Sequence, residues 1–241
     1  MVLYDLLKIG RIRQHKFHYG VVIIIVLLAG FGLHRALYYG LANIAHIGVL
    51  NAVAKWQTSP TEHSYQEFSQ IKAKAQQAVL YQPGYAEYWS VLAQVYEWGF
   101  IFGYTDTPNA LQDAKQYYLR ATQLRPLWPD TWASLIKLKW RLQEFDSELL
   151  FYVNQASTFG PQKPDIHLVI VELGLALNAS HHPLLDDIRA EFYRRLALGL
   201  KHPASNKRVL ELLSQYQAKP LACEWLKNAD QKIRKNILKC R

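Results

Sequence analysis

Asp186 and Asp187, with Glu191 one helical turn further on, are residues whose type and spacing could do chemistry. Paired carboxyls can divide general acid and general base work between them. Here they follow Pro183 at the head of an amphipathic stretch, where acidic groups complement the helix dipole, and that role accounts for them. His181 and His182 precede the same stretch without further ligands at metal spacing, so they read as loop residues. Cys223 and Cys240 are the only cysteines; they form no CxxC redox pair, and their spacing permits one disulfide in an exported domain without requiring it. Asn178-Ala-Ser matches a glycosylation sequon, a three-residue signal too short to carry weight. No nucleophile elbow, P-loop, dinucleotide fingerprint or zinc-protease helix occurs. The expectation is a non-enzymatic protein with no catalytic residue, no cofactor and no metal.

Binding is the remaining class. Trp98 and Trp140 fall near corresponding points of successive helical units, and Gln94, Glu97, Lys137 and Arg141 share their register. Aromatic and arginine side chains are the usual anchors of protein–protein sites, so these six compose a candidate partner-binding surface. The competing reading places both tryptophans in the core, as amphipathic helices commonly do. The aromatics from Trp98 to Tyr104 also admit contact with a glycan.

The elements that must position these residues are helices. From Ser64 onward amphipathic stretches alternate with short punctuation, and no strand-like alternation of convincing length appears. The breaks are Pro60, 82–84, 105–109, Pro126 with Pro129, 160–164, 178–183 and 202–205, dividing the chain into about eight helices. Within them Ala114, Tyr118, Ala121, Pro126 and Trp132 repeat a theme whose end occurs earlier as Ala78, Pro83 and Trp89. Leu92, Ala93 and Tyr96 continue it. Weaker echoes are Leu149, Val153, Ala156 and Pro161, then Ala190, Arg194 and Ala197. Small residues let helices approach, large ones fill the gaps, and proline ends the second helix of each unit. The pattern resembles the tetratricopeptide repeat over 64–201, with two departures. Trp89 to Trp132 spans 43 residues where a standard repeat has about 34, the excess lying in 97–109. Lys139 stands where the theme wants an aromatic.

Ahead of the repeats, Tyr19 to Leu33 run fifteen residues without a charge, and Ala36 to Ala54 are again uncharged but more polar. A spanning helix needs about 20 apolar residues, which 17–39 supplies if His34 and Arg35 reach the interface. Lys8, Arg11, Arg13 and Lys16 precede the segment against Asp5 alone, so the positive-inside bias predicts a cytoplasmic N-terminus. No small-x-small cleavage site follows the apolar run, which favours an uncleaved anchor over a signal peptide. The same helix is expected to continue past the membrane and lay Ala36 to Trp56 on the folded domain. The net charge of +9 sits mainly at the two ends, so no continuous basic groove and no nucleic-acid partner is implied.

The expected organisation is therefore all-α: a basic cytoplasmic tail at 1–16, a transmembrane helix at 17–39, a connecting helix and linker at 40–63, and C-terminal helices at 202–241. Between them, 64–201 form a tetratricopeptide-like right-handed stack of antiparallel helix pairs. With such an anchor, the segments WSVLAQVYEWG (89–99), RPLWPDTWASLIKLKW (125–140) and STFGPQKPDIHLVIVELGLAL (157–177) give the chain its texture. In this it resembles the VpsP-like family, small proteins associated with exopolysaccharide biosynthesis in gammaproteobacteria. The resemblance implies a bacterial inner-membrane protein with a single span and a periplasmic repeat domain. Its partners would be proteins of a polysaccharide synthesis or export complex. A membrane-tethered, chaperone-like adaptor for exported proteins or pilus and secretion assembly is the alternative.

Overall fold

A computed structural model of the chain describes residues 2–240 apart from 62, 106, 229, 230 and 232; the side chains of 2–18, 107, 108 and 236 also lie outside that description. The cations of the expected basic tail at 1–16 therefore lie outside the described residues. The described residues are helical, with no strand among them. They fall into two compact units, 1–84 and 85–241.

The first unit is a pair of helices, α1 (Val2–Thr58) and α2 (Tyr65–Tyr81). Helix α1 passes through the expected boundary at 39 without a break, because nothing between Gly32 and Thr58 removes a backbone donor or forces a reversal. From Ala42 onward it buries Ala42, Ala45, Val49, Ala52, Val53 and Trp56, a seam at steps of three and four that turns one stripe toward a neighbour. That neighbour is α2, through Phe68, Ile71, Ala75, Ala78 and Val79. Trp56 meets Phe68 at 6.2 Å and Tyr38 meets Tyr81 at 5.2 Å, so the two helices run antiparallel. Ser64 caps α2 by accepting from the Glu67 amide at 3.1 Å. Tyr19 to Leu41 of α1 are exposed throughout, Tyr38 touching α2 through the Tyr81 ring. The stretch is long and apolar enough to cross a membrane.

The second unit contains α3 (Ala86–Ile101), α4 (Thr107–Leu124), α5 (Pro129–Arg141), α6 (Ser147–Phe159), α7 (Pro164–Ala179), α8 (Leu184–Lys201), α9 (Pro203–Gln215), α10 (Lys219–Trp225) and a π-helical turn, Ile233–Leu238. Helices α3 and α4, α5 and α6, and α7 and α8 pack as successive hairpins, while α5, α7 and α9 pack on one another in series. Prolines open α5, α7 and α9 within their first turn, where a missing N–H costs nothing. Trp132 Nε1 donates to the Pro126 carbonyl at 2.7 Å, tying the α4–α5 turn to the helix it introduces. Gly174 of α7 exists for a close approach: a Cβ there would lie 2.3 Å from the Phe192 ring of α8.

Two expectations need correction. The α5–α6 turn at 142–146 has neither Pro nor Gly, so the punctuation gives no sign of it. The chain reverses there because Gln143 adopts a left-handed φ of 57° and the Glu144 amide reaches back to the Lys139 carbonyl, closing the helix end. The echo at Ala190 and Arg194 also falls on the wrong face, since both are exposed. Helix α8 instead buries Leu184, Ile188, Phe192, Leu196 and Leu200, a stripe offset by two residues from the theme.

Candidate functional site

Three arrangements of charge in the second unit could do chemistry. The first contains the six residues the sequence singled out. Lys137, Trp140 and Arg141, on the exposed side of α5, line an open depression of about 550 Å³ together with Gln143 and Glu172. Lys137 is exposed and Trp140 half-buried, so the indole is neither core nor free. Arg141 pairs with Glu97 of α3, and Glu97 Oε1 also accepts from the Tyr118 hydroxyl at 2.6 Å. Burial raises the Glu97 pKa, although Arg141, Tyr118 and Lys137 all favour the carboxylate. Burial and the same carboxylate push the Tyr118 phenol well up, so its proton stays on oxygen and donates. Glu97 thus positions Arg141 and does not line the depression. Gln94 and Trp98 are half-buried on α3 and do not line it either; Trp98 packs on Phe102 at 5.2 Å and Phe102 on Tyr104 at 5.7 Å. Glu172 was missed by sequence reasoning. Its signal was present: a lone carboxylate within the apolar run of α7.

The second arrangement surrounds Lys139. Its ammonium, 1% exposed, donates to Glu144 at 2.6 Å, Asp146 at 2.6 Å and Glu148 at 3.0 Å. The three carboxylates lie close enough to hold a metal ion, but the lysine nitrogen sits among them and does that job. Lys115 adds a second cation, 2.5 Å from Glu148, and the Tyr152 hydroxyl donates to Glu148 at 2.6 Å. Burial opposes the charged carboxylate of Glu148, yet the hydrogen bonds from Lys115, Tyr152 and Lys139 lower its pKa to about 2. Burial likewise opposes the Lys139 ammonium and is outweighed, so its pKa rises. Asp146 also caps α6, accepting from the Leu149 amide at 3.1 Å. The departure from the repeat theme at Lys139 therefore has a cause: this lysine closes the α5–α6 turn that has no glycine.

The third is centred on Arg195 of α8, which is fully buried. It donates to Glu191 at 2.5 Å, to the carbonyls of Ser157 and Gly160 at 2.8 and 2.9 Å, and to the Pro161 carbonyl at 3.2 Å. These carbonyls belong to the end of α6 and the turn into α7, whose residual hydrogen-bonding capacity the guanidinium fills. His167 Nδ1 faces the guanidinium at 3.2 Å; burial first, and then Arg195, lowers the His167 pKa to about 4. The imidazole is neutral at pH 7, so Nδ1 accepts from the guanidinium and Nε2 carries the proton. Glu191 is the one member of the suspected carboxylate group that enters a cluster, its pKa held to about 2 by hydrogen bonds from Arg194 and Arg195 against the effect of burial. Asp186 and Asp187 are exposed in the first turn of α8.

Cys223 and Cys240 are joined by a disulfide. His181 lies in the α7–α8 turn with φ 52°, and the His182 ring packs on Phe145 at 4.7 Å. Among these arrangements only the depression offers charge and aromatic surface to a second molecule. In the other two, cation and carboxylates satisfy one another. Compared with known proteins, the chain matches no family model and no curated sequence.

Proposed function

We propose that the chain is a non-enzymatic, membrane-anchored helical scaffold whose second unit recruits proteins of an exopolysaccharide synthesis or export machine. The depression formed by Lys137, Trp140, Arg141, Gln143 and Glu172 carries this reading. It presents a half-buried indole, two cations and one carboxylate on an open surface, a composition suited to a partner's side chains. The hairpin order, with α5, α7 and α9 packed in series, supports a tetratricopeptide-like stack in which such a surface would be concave. The exposed stretch Tyr19 to Leu41, apolar but for His34 and Arg35 near its end, supports a single inner-membrane span: at 1.5 Å per residue it covers about 35 Å, against a hydrocarbon core of about 30 Å. The disulfide supports placing the second unit on the oxidising, periplasmic side. The polysaccharide assignment rests on the resemblance carried by 89–99, 125–140 and 157–177, which fall on α3, on α5 with the turn before it, and on α7 with the turn preceding it.

A photo-crosslinker in place of Trp140 in the full chain, activated in intact cells, tests the reading. Crosslinks to polysaccharide synthesis or export enzymes are expected. They should vanish when Lys137→Glu is added, and deletion of the chain should abolish polymer while those enzymes remain expressed. Crosslinks to exported client proteins would replace the scaffold with the adaptor. Unchanged polymer output on deletion would sink the polysaccharide role.

A further inference from the structure

The depression accounts for a small part of the chain's charge. Residues 215–241 hold seven Lys or Arg against two carboxylates, a net +5 of the chain's +9. A basic tail is ordinarily a solvated, mobile run, but this one is folded. Lys219, Cys223 and Lys227 recur every four residues, on one side of α10 and the turn after it. The disulfide draws Cys240, and with it Lys239, to that same side. Arg234 donates to the Lys227 carbonyl at 3.2 Å, and the Cys240 amide to the Arg234 carbonyl at 2.8 Å, closing the segment on itself.

Sorting of side chains is sharp. Ala222, Leu226, Ile233 and Leu238 are buried in a core shared with Phe192, Leu196 and Val209, while Lys219, Lys227, Lys235 and Lys239 are exposed. The apolar residues fix the backbone and leave the four lysines exposed. Five of the seven cations are lysines, compact hydrated charges suited to a diffuse anionic surface more than to a bidentate pocket.

We propose that this disulfide-closed C-terminal segment docks on an anionic phospholipid bilayer through Lys219, Lys227, Lys235 and Lys239. The proposal rests on reading α1 as a membrane span, because the span tethers the chain to a bilayer and raises that surface's effective concentration. An anionic surface attracts each nearby lysine independently, and the attraction fades within a Debye length. Docking would add a second membrane contact to the anchor and restrict how the second unit presents its partner surface.

The full chain, reconstituted into vesicles of phosphatidylcholine alone or mixed with phosphatidylglycerol, gives the test. Flotation reads the anchor, and amine-reactive labelling followed by peptide mass analysis reads the four lysines. Their labelling is expected to fall about fivefold in the anionic vesicles and to recover in high salt, with Lys137 unchanged as an internal control. Lys235→Glu with Lys239→Glu should restore Lys219 and Lys227 labelling while the disulfide stays formed. A chain that floats but labels equally in both vesicles overturns the docking surface alone. Protection by soluble dextran sulfate but not by vesicles overturns it also, in favour of a soluble polyanion. A chain that fails to float removes the span and the docking surface together.

Discussion

In the α1–α2 pair the buried stripe is made of alanines, valines, Ile71, Trp56 and Phe68 with one polar residue, His46, and the Lys55–Glu67 ion pair at 3.4 Å lies on the exposed side. In α3 to α10 the buried material includes Lys139 and Arg195, each held by several acceptors. Apolar seams are non-directional, so they tolerate sliding and exchange of similar residues. Buried cations demand particular acceptors at particular distances, and here those acceptors sit in turns. The first unit therefore has, along Tyr19 to Leu33 of α1, a surface that is exposed and apolar, and the second has an interior that is polar where the chain must turn. That division separates a helix long and apolar enough to cross a membrane from a helical unit whose turns are fixed by buried charge.

The largest expected effect breaks the comparison on the first unit's side. Ile25 and Leu28 are 57% and 65% exposed, so in an aqueous protein Lys at both positions would improve solubility. In a bilayer each Lys near the centre costs about 3 kcal/mol, together about 6 kcal/mol of insertion free energy. Carbonate extraction of cell membranes should therefore move the double variant from pellet to supernatant. A variant that stays in the pellet would remove the anchor from the account.

On the second unit's side, Arg195→Ala leaves the Ser157, Gly160 and Pro161 carbonyls and Glu191 without their shared donor. The expected loss is about 4 kcal/mol, the range for breaking one side of a buried ion pair. Chemical denaturation of the detergent-solubilised chain checks it. Lys139→Ala should cost less, about 2 to 3 kcal/mol, because its three carboxylates are partly exposed and water can take over. Equal or negligible losses for the two would mean that the clusters do not pin their turns.

His167 sharpens the contrast with pH. Its pKa is depressed to about 4 in the folded chain from the usual 6.5, so below pH 6.5 the unfolded state takes up a proton that the native state refuses. Stability is whole above pH 6.5 and falls between 6.5 and 4, by up to about 3 kcal/mol. Glu148 and Glu191, depressed to about 2, extend the loss as pH falls from about 4.5 toward 2. His167→Asn keeps an acceptor for Arg195 and does not titrate, so its stability should stay flat between pH 6.5 and about 4.5 while the lower limb persists. A wild-type profile already flat in that window would contradict the buried, neutral imidazole.

Helix existence was legible wherever proline or glycine stood between apolar runs, since both act on the backbone itself and need no tertiary partner. The turns at 82–84, 160–164 and 202–205 all lie where the residues place them. The α5–α6 turn was not legible, because its reversal uses a glutamine and a buried lysine whose partners come together only in three dimensions. Of the six candidate surface residues, Lys137, Trp140 and Arg141 share one helix face and come together on the depression. Glu97 contributes from beneath, and Gln94 and Trp98 do not line it. Spacing within one helix carried that information; spacing across the enlarged 97–109 connection did not, since an insertion breaks the register between units. Glu172 enters from α7, two helices further on, by a packing no local pattern encodes.

The smallest expected effect concerns how these helices end. Gly103, Gln143, His181 and Gln217 each occupy a left-handed position just past a helix, at φ between 52° and 71°, and only the first has no Cβ to strain it. In each case the next amide reaches back five residues to a helix carbonyl, so the conformation is imposed by the same closing bond. His181→Gly removes a left-handed penalty of about 1 kcal/mol or slightly more, and the freer unfolded chain takes part of that back, leaving a gain of about 0.5 kcal/mol. Gln143→Gly gains less, because the wild-type amide donates to the Trp140 carbonyl at 2.9 Å and that bond is lost. Thermal melts should rank His181→Gly above Gln143→Gly, with Gly103→Ala falling below the parent. If Gln143→Gly instead proves the more stabilising, its amide bond contributes nothing, and the turn beside the depression is held by Lys139 and its carboxylates alone.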